Sequence, residues 1–221
     1  MVAEEIINPM IPPLKATDDA HKAIVWMEEF RCNHLPVLEN NGLLGFISEE
    51  IIMESNDIEK KLGEFELVGK KCTVGTDAHF YDILKVAGEH KLQLVAVIND
   101  DGDYEGVIAV QDIMTSFAQT AAVQMPGGIL VLSLDLIDYS LAEISRLIEE
   151  NSAKILSTIM VEDAMDSKKV KLTVKINQLD LSRIVATLER FGYKIIGRYQ
   201  EDQHEFQDKD RIDMLMRYLN I

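Results

Sequence analysis

Apolar positions in the first 120 residues fall into two cycles of one pattern. In residues 20–30, Ala20, Ile24, Met27 and Phe30 recur at helical spacing, and in residues 80–90, Phe80, Ile83, Leu84 and Ala87 do the same. Each stripe predicts a helix with one buried face. A short apolar run follows each helix, at 35–38 and at 94–98, and predicts a strand. Each run ends in a turn signal, ENNG at 39–42 and NDDG at 99–102, and a second apolar run begins beyond it, LLGFI at 43–47 and YEGVI at 104–108. A further helix is predicted from about Ser48 and from Val110. Thr17 and Thr76, each followed by acidic residues, are the expected N-caps of the two leading helices. Helix–strand–turn–strand–helix is therefore written twice, over residues 17–53 and 76–114. Ile6-Ile7 and Leu67-Val68 are expected to open the two repeats as short strands.

The pattern changes at MPGG, residues 125–128, where proline and two glycines mark a boundary. Strands are predicted at 128–135, 153–161, 169–176 and 194–200, and helices at 139–151 and 179–193. In the third strand Val170, Leu172, Val174 and Ile176 share one side, and Lys171, Thr173 and Lys175 the other. The helices should bury Leu141, Ile144, Leu147 and Ile148 in one case, and Leu181, Ile184, Val185, Leu188 and Phe191 in the other. Gly192 suits the end of the second helix, and residues 162–169 read as a polar turn. The order βαββαβ is a ferredoxin-like plan with two helices on one face of an antiparallel sheet. Residues 208–220 carry a last helical stripe, to dock on its own domain or to make a dimer contact.

Composition narrows the function. The chain has 221 residues, 47% hydrophobic and 27% charged, which is ordinary globular composition. Its net charge of -16, from 22 basic and 38 acidic residues, repels phosphate backbones and anionic lipid heads. Neither nucleic acid nor a membrane is an expected partner. Cys32 and Cys72 stand alone, outside any CxxC, so no metal site is expected and a reducing cytoplasmic setting is. The first ten residues, MVAEEIINPM, lack the layout of a signal peptide, and no apolar run approaches the roughly 18 residues of a membrane span.

Four features of the first half carry a family resemblance: T-D-x-A, then x-P-V, an acidic turn with glycine, and G-h-h followed by an Ile-Met. With NHLPVLENNGLLGFIS at 33–48 as the clearest run, residues 1–120 resemble a tandem pair of CBS domains, the Bateman module. The resemblance implies two sheet-packed repeats, with a cleft between them for an adenosine-bearing molecule such as AMP, ADP, ATP or S-adenosylmethionine. It also implies a regulator and not an enzyme. No GxSxG, HExxH, Walker or GxGxxG motif is present to contradict that.

The family's adenosine motif is G-h-h-[S/T]-x-x-D. Its aspartate accepts from the ribose diol, and an ionised acceptor makes those bonds strong. The hydroxyl side chain meets ribose or phosphate. Repeat one, GFISEEI at 45–51, keeps Ser48 and has Ile51 at the aspartate position. Glu49 and Glu50 are no substitutes, because neighbours on a helix point about 100° apart. Repeat two, GVIAVQD at 106–112, keeps Asp112 and has Ala109 at the hydroxyl position. Asp112 is the best ribose candidate, with an exposed or capping aspartate as its bland alternative. His34 and nearby Arg31, just before the Leu35-Pro36-Val37 strand, are the candidates for a phosphate pole. A structural or solvated histidine is the alternative for His34. Thr17 and Thr76 complete the candidate set, and His21 and Lys22 are weaker.

Residues 127–201 resemble an ACT domain, a small-molecule sensor that typically pairs sheets across a dimer. Its ligand loop normally carries a glycine close to D-x-P-G-x-L. Here the loop reads LIDYSLAEI, with Ser140 at that glycine and no proline. The expected fold class is α+β, divided as residues 1–60 and 61–124 for the two CBS repeats, 127–201 for the ACT-like domain and 202–221 for a C-terminal helix. The whole resembles the small acetoin-utilization-type regulators. The expectation is a cytoplasmic homodimer that senses an adenosyl ligand, requires no cofactor, and acts on a regulated protein partner. The alternative is a ligand-free dimerisation or protein-interaction module.

Overall fold

The computed structural model describes residues 1–55 and 57–200; the helix expected within 202–221 lies outside them. The fold is α+β and divides into two compact units, Met1–Ala118 and a second that begins at Gln119. Each is described by itself.

The first unit repeats one motif. Strand β1 (Leu14–Lys15) leads to helix α1 (Ala20–Phe30), strands β2 (His34–Glu39) and β3 (Gly42–Ser48), and helix α2 (Glu49–Ser55). The second copy is β4 (Thr73–Gly75), α3 (Phe80–His90), β5 (Leu94–Ile98), β6 (Tyr104–Ala109) and α4 (Val110–Ala118). The sheets are β1-β2-β3 and β4-β5-β6, each with a parallel first pair and an antiparallel second pair. The first hairpin turns on Asn40 and Asn41, both left-handed at φ 48 and 67. That is the two-residue turn Asn accommodates between twisted strands. The second uses five residues, with the Asn99 carboxamide oxygen accepting the N–H groups of Asp101 and Asp103 and with Gly102 at φ 84. Both repeats feed a single core. Leu14, Leu35, Phe46, Ile47, Ile83, Val95 and Ile108 are fully buried in it. Burial of such side chains stabilises by about 1.5–3 kcal/mol each.

Two expectations about the repeats are corrected. Residues 6–7 and 67–68 do not open their own sheets; β1 and β4 do. The leading segments cross instead to the opposite repeat. Ahead of repeat one, the N–H groups of Ala3, Glu4 and Asn8 donate to the carbonyls of Ala78 (2.9 Å), Thr76 (3.0 Å) and Val107 (2.8 Å). Ahead of repeat two, Leu62, Gly63 and Val68 donate to Asp18 (2.9 Å), Ala16 (2.9 Å) and Phe46 (3.0 Å). The crossing satisfies the outer edges of β3 and β6, which would otherwise present unpaired backbone. Secondly, Thr17 and Thr76 are not the caps. They lie in the turns between strand and helix. Asp19, two positions on, has the extended backbone of a cap and accepts Lys22 N–H at 2.9 Å, and the His79 ring accepts Tyr81 N–H at 3.4 Å.

In the second unit a short helix α5 (Ala121–Gln124) precedes β7 (Gly128–Asp135), α6 (Leu141–Glu149), β8 (Ile155–Asp163), β9 (Asp166–Ile176), α7 (Ser182–Arg190) and β10 (Lys194–Tyr199). The sheet order β10-β7-β9-β8, with antiparallel neighbours throughout, is the ferredoxin-like arrangement. Val170, Leu172, Val174 and Ile176 bury as their alternation requires, against Ile144, Leu147, Ile148, Ile184 and Leu188. The expected polar turn at 162–169 is mostly strand: β8 and β9 continue to Asp163 and Asp166, whose carboxylates hold the tip by accepting the N–H groups of Met165 and Lys168. Phe191 is not inward. It is exposed just past α7, beside the guanidinium groups of Arg146 and Arg190.

Candidate functional site

Two clefts of the first unit occupy corresponding places in the two repeats. The first, of about 430 Å³, is lined by Asn8, Arg31, Cys32, Gln93, Ala109 and Asp112, among others. The second, of about 380 Å³, is lined by Asn33, His34, Ser48, Glu49, Glu50 and Met53. Antiparallel register sets both: Leu94 faces Ala109 across β5–β6, as His34 faces Ser48 across β2–β3. In each, the strand before the hairpin and the helix after it supply the walls.

The candidate residues are split between them. Asp112 stands in the first turn of α4, half-buried, where the positive helix end favours a carboxylate. Its Oδ2 accepts from Asn8 Nδ2 at 2.7 Å. Arg31 lines the same cleft from the end of α1, in the left-handed conformation at φ 54. Cys32, beside it, is buried, and that burial pushes its thiol up from the ordinary value. This cleft joins an anionic acceptor to a cation.

Ser48 and His34 fall in the other cleft. Ser48 is buried, and its hydroxyl accepts Ile51 N–H at 3.1 Å, so it caps α2. The half-buried His34 has a ring Nδ1 with no hydrogen-bond partner among the described residues. Burial lowers its pKa below the ordinary value, and the Glu50 carboxylate opposes that shift. Glu49 and Glu50 give this cleft acids where the first has Val110 and Gln111. Arg31 and His34, read together from sequence as one phosphate pole, thus line different clefts. Thr17 and Thr76 line neither, and the same holds for His21 and Lys22.

The motif glycines have a packing role. Gly45 and Gly106 lie where the crossing segments pass. A Cβ on Gly45, at φ 151, would stand 2.8 Å from the Val68 carbonyl oxygen, and one on Gly106 would stand 2.5 Å from Ile7 Cγ2. Each glycine admits the segment that crosses in from ahead of the opposite repeat.

Residues 3–56 match the family model of the CBS domain. The matched stretch is the first repeat with its leading segment, and the β-α-β-β-α order recurs in the second. Among solved structures, a CBS domain pair/ACT domain protein from Thermotoga maritima is similar at 13% identity and a TM-score of 0.48, over 54% of this chain and 98% of its own. A provisionally assigned acetoin utilization protein (AcuB) from Vibrio cholerae is similar at 21% identity and a TM-score of 0.46, over 53% and 90%. CBSX2, solved in complex with AMP, is similar at 17% identity and a TM-score of 0.45, over 53% and 96%.

Asn8 is the residue sequence reasoning missed. Its only local signal is the INPM stretch at 7–10, in which Asn-Pro marks a turn. No helix among the described residues is long and apolar enough to cross a membrane, and no cluster of three metal-ligating side chains occurs among them.

Proposed function

We propose that the protein is a non-catalytic regulator that senses an adenosine-bearing ligand, AMP, ADP, ATP or S-adenosylmethionine, in the cleft beside Asp112. The observation that carries this reading is the Asp112 carboxylate, half-buried on a helix start in a 430 Å³ cleft that Arg31 also lines. A carboxylate accepts from vicinal hydroxyls, and a guanidinium meets phosphate as a charged fork. The His34 cleft, flanked by Glu49 and Glu50, has the wrong charge for a phosphate. Ligand bound at Asp112 stabilises the arrangement of repeats it contacts best, and that bias passes to the second unit or to a regulated partner. We read the second unit as an ACT-like module that pairs with a second copy of the chain in a homodimer, the domain order of the acetoin-utilization-type regulators.

Isothermal titration with AMP, ADP, ATP, NAD and S-adenosylmethionine tests the reading. Binding of one of them, weakened about tenfold or more by Asp112→Asn, is the expected result. No heat of binding from any of them at millimolar concentration sinks it.

One observation favours a second reading, a ligand-free interaction module. The Ser48 hydroxyl and one Asp112 oxygen are already engaged within the chain. That reading expects a protein partner whose capture is unchanged by any nucleotide in the panel.

A further inference from the structure

Asp112 does not stand alone. Its partner Asn8 is 104 positions away, on the segment that crosses from the start of the chain to the second repeat. The orientation of the Asn8 carboxamide is set by its own loop: Oδ1 accepts Met10 N–H at 2.9 Å, which leaves the NH2 end for Asp112. The backbone is anchored as well. Asn8 N–H donates to the Val107 carbonyl at 2.8 Å, and Ile7 occupies the space that the missing side chain of Gly106 leaves. The amide is held before any ligand arrives.

The other repeat supplies an internal control. Val68 N–H donates to the Phe46 carbonyl at 3.0 Å, the counterpart of Asn8 on Val107. Ile51 is the counterpart of Asp112. One crossing therefore carries Asn8 with Asp112, and the other carries Val68 with Ile51. The same backbone arrangement forms around the apolar residues, so the fold does not demand the polar ones.

We propose that Asn8 is a positioning and specificity-determining residue of the Asp112 cleft, reading the two adjacent hydroxyls of a ribose. The inference rests on the reading of this cleft as a nucleoside site. Asn8 clamps Oδ2 and leaves Oδ1 of Asp112 without a partner among the described residues. Oδ1 then accepts from one ribose hydroxyl, and the second N–H of the Asn8 amide donates to the other. A ligand lacking one hydroxyl strands a polar group in the cleft, which costs affinity. Preference for ribose over deoxyribose thus belongs to the Asn8–Asp112 unit.

The test is titration of the full chain with AMP and with 2′-deoxyadenosine 5′-monophosphate, for wild type, Asn8→Ala and Asn8→Val. Asn8→Val copies the residue that the other crossing already tolerates, so it keeps the measurement open should Asn8→Ala fold poorly. Wild type should favour AMP by about tenfold, and both variants should bring that ratio to within about twofold of one. A merely structural Asn8 would weaken both ligands alike and leave the ratio unmoved. A retained ratio in Asn8→Val overturns this inference and leaves the cleft reading standing. Wild type that binds AMP without preferring it to the deoxy compound also overturns the inference. Wild type that binds neither compound nor any other adenosyl ligand overturns the cleft reading itself, and this inference with it.

Discussion

The two clefts of the first unit share a backbone and differ in chemistry. Both have a glycine under a crossing segment, a hairpin, and a helix starting at the cleft wall. One keeps an acid, an amide and a guanidinium (Asp112, Asn8 and Arg31); the other has a capping serine, a half-buried histidine and two glutamates. The comparison separates what the fold requires from what it tolerates. The glycines recur because a crossing segment lies where their side chains would be. Asp112 and Ser48 do not recur: Ile51 and Ala109 stand at the corresponding positions, so the shared backbone requires neither.

That separation can be broken by measurement. The largest effect is expected at the glycines, and it should be unequal. Gly45→Ala drives a Cβ against the Val68 carbonyl from a left-handed backbone and should cost about 3 kcal/mol in denaturant unfolding. Gly106→Ala meets the branch methyl Cγ2 of Ile7 at 2.5 Å but carries no left-handed backbone strain, and should cost about 2 kcal/mol. Equal costs would mean that the two crossings are not built as described. Next in size, Asp112→Asn should raise the Kd for the best adenosyl ligand about tenfold, equivalent to about 1.4 kcal/mol, while the unfolding midpoint stays near wild type. A large fall in that midpoint would make Asp112 a structural residue. Ser48→Ala removes a helix cap and should cost about 1 kcal/mol, with the same Kd as wild type. A changed Kd would show that the clefts act together.

The smallest effect is a pH slope. Burial holds His34 below its ordinary pKa of about 6.5, so the folded chain binds this proton less readily than the unfolded chain. His34 therefore costs no stability above pH about 6.5, and stability falls as pH drops from there to the lowered value. His34→Gln should flatten that part of the pH–stability curve. A curve unchanged by the substitution would mean that His34 titrates alike in both states.

Local patterns in the sequence are read correctly wherever the cause is local. The two hairpins follow from Asn and Gly at turn positions, and the alternation of Val170, Leu172, Val174 and Ile176 follows from the period of a strand. Where neighbours come from afar, the reading fails or is incomplete. Ile6-Ile7 and Leu67-Val68 are apolar enough to be strands, yet Val68 pairs with Phe46 and Ile7 packs against Gly106, each in the opposite repeat. Phe191 fits a helical stripe, but α7 ends one residue earlier and the ring turns to two arginines. Arg31 and His34, three positions apart, line different clefts: Arg31 caps the end of α1 in a left-handed conformation, and His34 is the first residue of β2.

The sequence alone determined the two repeats, the helix–strand–strand–helix order within each, the βαββαβ order of the second unit, and the surviving half-motifs at Ser48 and Asp112. Those depend on periodicity and turn chemistry, which act over a few residues. Only the tertiary structure decided that Ser48 spends its hydroxyl on a helix cap, that the motif glycines make room for crossing segments, and that Asn8 reaches Asp112. Each of these depends on which group approaches from elsewhere, and close packing, not the order of residues along the chain, settles that.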